Sequence, residues 1–327
     1  MYSNRPFFPM ALAVLVLVGV FAGLRYDQNI YSKVPVNNTK TSSVPVSMTK
    51  PLVTDKHFLT RTDSVGNKTS IETATKSQTS SPDTISAEAY LVGNVVTGQI
   101  YLSKQIDTVL SVASMSKLVT AIAATDTLAP TTTVTITTAD ADTYPDHSHI
   151  HAGETFTVHE LLYPLLMDSS NVAANTLASS TDLQSFMDLM NSYAWEIGMS
   201  KAFFQDPSGL SEHNTASARD FFALARYLYR ARPDILAVTR LVSAAVATTT
   251  DHEAHSFVNI HPFAGDPRFL GGKTGHTNAA MDTMMTILDI DNQPLAFIVL
   301  RSDFRRQEDT DLLIKEVETF LKKQGAN

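Results

Sequence analysis

No cysteine occurs anywhere in the chain. That excludes disulfides and thiolate metal sites, but it leaves the compartment open, because an exported protein need not contain cysteine. Charge is also sparse, at 18% of residues, with 25 Lys and Arg against 33 Asp and Glu and a net charge of −8. No basic stripe dominates, so a nucleic-acid partner is not expected. Apolar residues fill 43% of the 327 positions, too many for a disordered chain and enough for the core of one large domain or two small ones. Long apolar runs are absent, with one exception. Residues 6–24 are almost wholly apolar, with Arg5 before them and Arg25 behind. A helix needs ~20 apolar residues to cross a bilayer, and Val20-Phe21-Ala22 is only a fair small-x-small cleavage site. Residues 1–25 are therefore expected to be an uncleaved N-terminal membrane anchor, with a removed secretory signal as the alternative. The flanking charge is too balanced to set orientation.

Residues 26–86 shift to Ser, Thr, Lys, Asn and Val with little periodicity. Stretches such as Thr73-Ala-Thr-Lys-Ser-Gln-Thr-Ser-Ser-Pro82 read as solvated linker. Ordered structure is expected over 87–327. A hairpin is expected from 87–95 and 99–103 around Thr97-Gly98. Helices are expected over 114–128, 157–167, 171–178, 182–199 (holding the only tryptophan, Trp195) and 308–323. Residues 131–137 are β-branched and strand-like. Ser217 and Asp220 form a capping box that opens a helix running to Arg230, and Pro233 restarts a short one. Strands are expected over 280–290 and 295–301, turning at Asp291-Asn292. Strands at both ends with helices between them give an α+β order.

Ser114-Met115-Ser116-Lys117 stands at the mouth of the apolar run that begins at Leu118. A serine is a poor nucleophile until a base takes its proton. On a helix, a lysine three residues on lies on the same face and within reach of the hydroxyl, and the helix start adds partial positive charge and free N–H groups. Alone, the pair would read as an ordinary surface Ser and Lys. Two more pieces follow in order: Ser169-Ser170-Asn171, at an expected helix–helix turn, and Lys273-Thr274-Gly275, behind Gly271-Gly272 and ahead of an expected strand. The set S-x-x-K, S-x-N, K-T-G marks penicillin-interacting serine enzymes.

The surrounding residues narrow the match. Ala113-Ser-Met-Ser-Lys-Leu118, Met167-Asp-Ser-Ser-Asn-Val-Ala-Ala174, Phe204-Gln-Asp-Pro-Ser-Gly-Leu210 and Gly272-Lys-Thr-Gly-His-Thr277 together resemble the serine D-alanyl-D-alanine carboxypeptidases, the low-molecular-mass penicillin-binding proteins. The resemblance runs from about residue 87 to about residue 322. It implies a β-lactamase/transpeptidase-like fold, an antiparallel sheet flanked by helices with an inserted all-helical lobe. It implies peptidoglycan stem peptides as substrate, β-lactams as covalent inhibitors, and no cofactor. Carried onto matching positions, it makes Ser114 the nucleophile, Lys117 the base, Ser169 the relay to the leaving amine and Asn171 the residue orienting Lys117 or the substrate amide. Lys273, Thr274, Gly275 and His276 would bind substrate, Thr274 at its terminal carboxylate, with the backbone N–H groups of Ser114 and His276 as oxyanion hole. To act as base Lys117 must be neutral, which requires burial and a second cation nearby; Lys273 is the candidate. The substrate would place the catalytic domain outside the membrane.

Other residues compete for attention. Ser111, Ser116 and Ser170 begin no S-x-x-K and are expected to be structural. His147, His149, His151 and His159 form one group, and His252, His255 and His261 a second; His252-Glu253 misses H-E-x-x-H by one position. Exposed loop histidines are expected rather than a metal site. Arg301, Arg305 and Arg306 are all candidates for the basic residue that this family places near the substrate carboxylate, and Met281 stands where the family often has glycine. Among other functions, a class A-like β-lactamase would need a deacylating carboxylate, and no acid between Asn171 and Lys273 sits in its E-x-x-L-N setting. A D,D-endopeptidase acting on cross-links is not separable by sequence from a carboxypeptidase. A non-catalytic peptidoglycan-binding relative is disfavoured by the intact motifs.

Overall fold

The computed structural model describes residues 84–325, all within the unit Ala74–Asn327. The expected anchor (1–25) and nearly all of the expected linker (26–86) lie outside the described residues. Among the described residues no helix is long and apolar enough to cross a membrane.

The chain opens with the expected hairpin, β1 (Ala89–Asn94) and β2 (Ile100–Lys104). Strand β3 (Leu110–Ser111) leads into a 3₁₀ turn, Ala113–Ser116, and helix α1 (Lys117–Thr127). Next come β4 (Thr133–Thr135), α2 (Thr138–Ala141), β5 (Thr155–Thr157), α3 (Val158–Tyr163) and a π-helical turn, Pro164–Asp168. Helices α4 (Asn171–Ser179) and α5 (Leu183–Ile197) complete a helical lobe. The chain returns through β6 (Thr215–Ala216), α6 (Ala218–Ala231), α7 (Pro233–Arg240) and the hairpin β7 (Ser243–Val246) and β8 (His255–Val258). It ends with β9 (Phe269–Thr277), β10 (Met281–Ile290), β11 (Gln293–Ser302) and α8 (Arg306–Gly325).

Strands from both ends of this sequence form one sheet, ordered β2-β1-β11-β10-β9, with every pairing antiparallel. Side chains alternate between its faces with the period of two that a pleated strand imposes. Ala296, Ile298 and Leu300 of β11 join the large core shared with α1, α4, α5 and α6. Their neighbours Leu295, Phe297 and Val299 turn to the other face and pack under Leu313, Ile314 and Val317 of α8. Helix α1 has no solvent face over its first two turns, since every residue from Lys117 to Ala124 is buried. That explains why its sequence is a continuous apolar run rather than an amphipathic stripe.

The capping box at Ser217 and Asp220 is present, each residue bonding the other's backbone. The turn at Asp291 and Asn292 has both φ angles positive, 52° and 61°, as a two-residue hairpin requires. Elsewhere the structure departs from these expectations or adds to them. K-T-G does precede the expected strand, β10, but also lies inside another, β9, whose glycines hide the strand pattern. The helix expected over 157–167 stops at Tyr163, because Pro164 has no N–H to continue the ladder, and a π turn follows. Hairpin β7–β8 was not anticipated. The second histidine group is not exposed: His252 stacks on Phe156 at 4.4 Å, His255 bonds Glu154 at 2.7 Å, and His261 stacks on Phe269 at 4.6 Å. These imidazole rings serve here as packing and hydrogen-bonding units.

His261 is the extreme case. Its Nδ1 accepts from the Phe263 amide at 3.3 Å, and Nε2 faces the Met285 carbonyl at 3.2 Å. Burial, with lesser repulsion from Lys273 and Arg306, pushes its pKa from 6.5 to about 3. The unfolded chain therefore takes up this proton at a higher pH than the folded one. The corresponding stability is fully present above about 6.5 and is lost progressively as pH falls toward about 3. At ~1.4 kcal/mol per pH unit, the gap from 6.5 to about 3 is worth roughly 4–5 kcal/mol. His261→Gln should flatten the acid limb of a urea-unfolding stability profile; an unchanged limb would remove His261 from the account.

The start of the domain is also tied down. The Ser86 amide and hydroxyl reach Asp309 at 2.8 and 2.7 Å, and the Ala87 amide at 3.0 Å. Asp309 is fully buried, so losing these donors leaves a charge partly unsatisfied. A chain beginning at residue 84 should keep wild-type stability. One beginning at residue 88 should lose about 2–3 kcal/mol in urea unfolding. Equal stabilities would show that the contact is incidental.

Candidate active site

Ser114 sits in the 3₁₀ turn, not in the α-helix expected there. In a 3₁₀ turn side chains three apart eclipse one another, which brings the Ser114 hydroxyl and Lys117 into register. Lys117 Nζ donates to Ser114 Oγ at 2.9 Å, to Asn171 Oδ1 at 2.7 Å and to the Ser208 carbonyl at 2.6 Å. Ala113 is held at φ 49°, a left-handed conformation that costs a non-glycine residue ~1 kcal/mol. Two glycines press on this turn. A Cβ on Gly209 would lie 2.0 Å from the Ala113 carbonyl oxygen, and one on Gly275 would lie 2.8 Å from that of Val112. Only bare backbone lets the 206–211 loop and β9 approach the serine so closely.

That loop winds around one carboxylate. Asp206 accepts from the amides of Ser208, Gly209 and Ser211 at 2.7–2.8 Å, and so aims the Ser208 carbonyl at Lys117. Asp146 plays the matching part on the other side. It accepts from the Asn171 amide at 2.5 Å and the Val172 amide at 3.1 Å, at the N-terminus of α4, where a helix favours negative charge. The Pro145 carbonyl takes Asn171 Nδ2 at 2.5 Å, leaving Oδ1 for Lys117. Ser169 caps the π turn at φ 66°, and Lys273 Nζ donates to its Oγ at 2.9 Å.

Both lysines are buried. Burial pushes Lys117 down to about 7 against the opposing pull of Asp206 and Asp146. Burial, then the charges of Lys117 and Arg306, takes Lys273 well below the ordinary range, opposed by Asp168. Repulsion between two ammonium groups is mutual, so the pair titrates as a unit. Asp168 is raised by burial and by Asp146, with His149, His147 and Lys273 opposing.

These groups surround a cavity of about 260 Å³. Ser114, Ser169, Asn171, Thr274, Gly275 and His276 line it, while Lys117 and Lys273 stand behind their serines. Of the three arginines, only Arg306 lines it, and it donates to Asp282 at 3.0 Å and to the Gly275 carbonyl at 3.3 Å. His276 bonds the same carboxylate at 2.9 Å. Arg301 points instead to Glu88, 3.5 Å away. Ser111, Ser116 and Ser170 are committed elsewhere, to the Glu212 carbonyl, to the Ala113 carbonyl and to capping α4. Sequence reasoning missed Asp146, Asp168 and the support role of Asp206. Asp206 had a signal, since Asp before Pro-Ser-Gly invites a turn wound on its own carboxylate. Asp146 had none, because Asn171, the site residue it holds, lies 25 residues away.

A serine held by a buried, readily deprotonated lysine, with a second Ser–Lys pair facing it at the edge of an antiparallel sheet, defines an acyl-transfer centre of the penicillin-binding class. Residues 75–303 match the model of the D-alanyl-D-alanine carboxypeptidase family, and the chain belongs to this family of serine peptidases. A D-alanyl-D-alanine endopeptidase of Escherichia coli K12 is 29% identical over 70% of this chain and 75% of its own length. A D-alanyl-D-alanine carboxypeptidase of Mycobacterium tuberculosis is 29% identical over 61% and 69%. Among solved structures, penicillin-binding protein D2 of Listeria monocytogenes in its cefotaxime-bound form superposes with a TM-score of 0.62 at 26% identity, covering 72% of this chain and 98% of that one.

Proposed function

We propose that the protein hydrolyses the D-alanyl-D-alanine end of peptidoglycan stem peptides through an acyl-enzyme on Ser114. The observation that carries this is the 2.9 Å bond from Lys117 to Ser114 Oγ, made by a lysine whose pKa is about 7. Neutral Lys117 takes the hydroxyl proton as Oγ attacks the carbonyl between the two D-alanines. The amides of Ser114 and His276 receive the oxyanion; β9 is an edge strand, so alternate amides on it have no strand partner. Ser169, bonded to Lys273, hands a proton to the leaving amine as the C–N bond breaks. Thr274, Lys273 and Arg306 hold the leaving carboxylate, and water then cleaves the ester. A β-lactam would acylate the same serine.

The relatives named endopeptidase favour a second reading, cleavage of cross-links by the same chemistry. Digestion of a pentapeptide muropeptide and of a cross-linked dimer, read by mass spectrometry, separates the two: loss of one D-alanine marks the first, conversion of dimer to monomers the second. No cleavage of either would overturn both. Residues 6–24 are proposed to anchor the chain, with the catalytic domain on the outer side of the membrane where this substrate lies. Fractionation of the full chain and of one lacking residues 1–25 tests this; equal release into the soluble fraction would refute it.

A further inference from the structure

Among the described residues, one buried cation of the cleft makes no ion pair. Arg306 has Asp282 at 3.0 Å. Lys117 has Asp206 and Asp146 pulling on its charge. Lys273 donates to Ser169 Oγ and to the Thr274 carbonyl, both at 2.9 Å, and both acceptors are neutral. It is 1% exposed, so an ammonium group there is costly unless an opposite charge stands nearby.

Two carboxylates line the cavity, Asp146 and Asp168. Asp146 is saturated: it accepts from the amides of Ser148, Asn171 and Val172 and from the hydroxyls of Ser148 and Ser170. The partly buried Asp168 carboxylate has no hydrogen bond or ion pair among the described residues. Asp168 ends the π turn directly before Ser169, whose hydroxyl Lys273 bonds. The groups that face Asp168 are Asp146, His147 and His149 from the loop before β5, and Lys273 from β9. Those that face Lys273 are Lys117 from α1, Arg306 from α8, His261 from the segment before β9, and Asp168. Of these four only Asp168 is acidic.

We propose that Asp168 is the counter-charge of Lys273: its unpaired carboxylate at the cavity wall keeps Lys273 protonated, as the cation that receives the substrate's terminal carboxylate, while Lys117 acts neutral. The inference rests on Ser114 being the acylated serine. The two lysines have opposite tasks. Lys117 must give up its charge to take the Ser114 proton, whereas Lys273 must keep its charge to hold the carboxylate. Burial, Lys117 and Arg306 all oppose the charge on Lys273, and Asp168 supports it. Asp168 is a positioning residue, acting on substrate through Lys273.

The test follows acylation by a fluorescent penicillin, itself a carboxylate, as rate against pH for the full chain as wild type, Asp168→Asn and Asp168→Glu. In the wild type the rate should rise on the acid side as Lys117 becomes neutral, and fall on the alkaline side as Lys273 loses its charge. Asp168→Asn keeps the shape and removes the charge, so Lys273 releases its proton earlier. The alkaline limb should move roughly one pH unit lower, with the acid limb near its wild-type position. Asp168→Glu should return the alkaline limb toward that of the wild type. A residue that only shaped the turn would lower the rate at every pH and move neither limb. Burial and Asp146 raise the Asp168 pKa against the pull of His149, His147 and Lys273, and an Asp168 that stayed protonated would also leave both limbs in place. An unmoved alkaline limb in Asp168→Asn, with the wild type labelled, overturns this inference alone. A wild type that takes no label overturns the catalytic reading and this inference with it.

Discussion

Ser114→Ala should abolish covalent labelling by penicillin and slow peptide hydrolysis by on the order of 10⁴-fold or more, as loss of a nucleophile does in other serine enzymes. No neighbouring hydroxyl is placed to substitute. Ser116 donates to the Ala113 carbonyl at 2.7 Å and accepts from Asn214 at 3.0 Å, and Ser111 donates to the Glu212 carbonyl at 2.6 Å. The fold should be nearly untouched. Lys117 keeps its bonds to Asn171 and the Ser208 carbonyl, so the cost should be about 1 kcal/mol. Intact-protein mass spectrometry after incubation with benzylpenicillin reads the first outcome and thermal unfolding the second. An adduct of undiminished yield on the alanine variant would falsify the assignment.

Removing the charge of Lys273 should move the pH profile of acylation. Lys117 acts as base only when neutral, so the acid-side limb of the rate follows its pKa of about 7. The charge of Lys117 depresses Lys273; the repulsion is mutual, so wherever Lys273 is protonated it opposes the charge on Lys117 in turn. Lys273→Met keeps the volume and the dryness of the site but not the charge. The protonated form of Lys117 is then no longer opposed, its pKa rises, and the limb should move roughly one to two pH units higher. Lys273→Arg should leave the limb near its wild-type position while losing rate through altered geometry at Ser169. Both variants should acylate more slowly at neutral pH, the methionine because the leaving carboxylate loses a cation and the arginine because its cation is placed differently. The measurement is acylation rate against pH for the three proteins. A limb that stays put in Lys273→Met would mean that burial alone sets Lys117 and that Lys273 only anchors substrate.

The reach of the sequence can be judged on particular residues. Ser114 and Lys117 were readable because their relation is local: three residues apart in the chain, at the start of an apolar run. The hairpin β1–β2, the capping box at Ser217 and the turn at Asp291-Asn292 were readable for the same reason. Strand β9 was obscured by the glycines that make it useful, since Gly271, Gly272 and Gly275 erase the side-chain alternation by which a strand is recognised. Their purpose shows only in three dimensions, where a Cβ at Gly272 would lie 2.2 Å from the Met285 carbonyl oxygen. The choice of Arg306 over Arg301 could not be made from their positions in the sequence; it follows from which of them lines the cleft.

The sequence by itself determined the three motifs, their order along the chain and the α+β arrangement, because these rest on short-range spacing and on hydrophobic period. The tertiary structure decided the state of those groups. Lys117 approaches neutrality because α1 runs through the core and carries its side chain out of water. It is held on target by Ser208 and Asn171, which are 91 and 54 residues away, and Asn171 is seated in turn by Asp146 and Pro145. Desolvation and distant hydrogen bonds depend on which segments meet after folding, and no local pattern in the chain records those meetings.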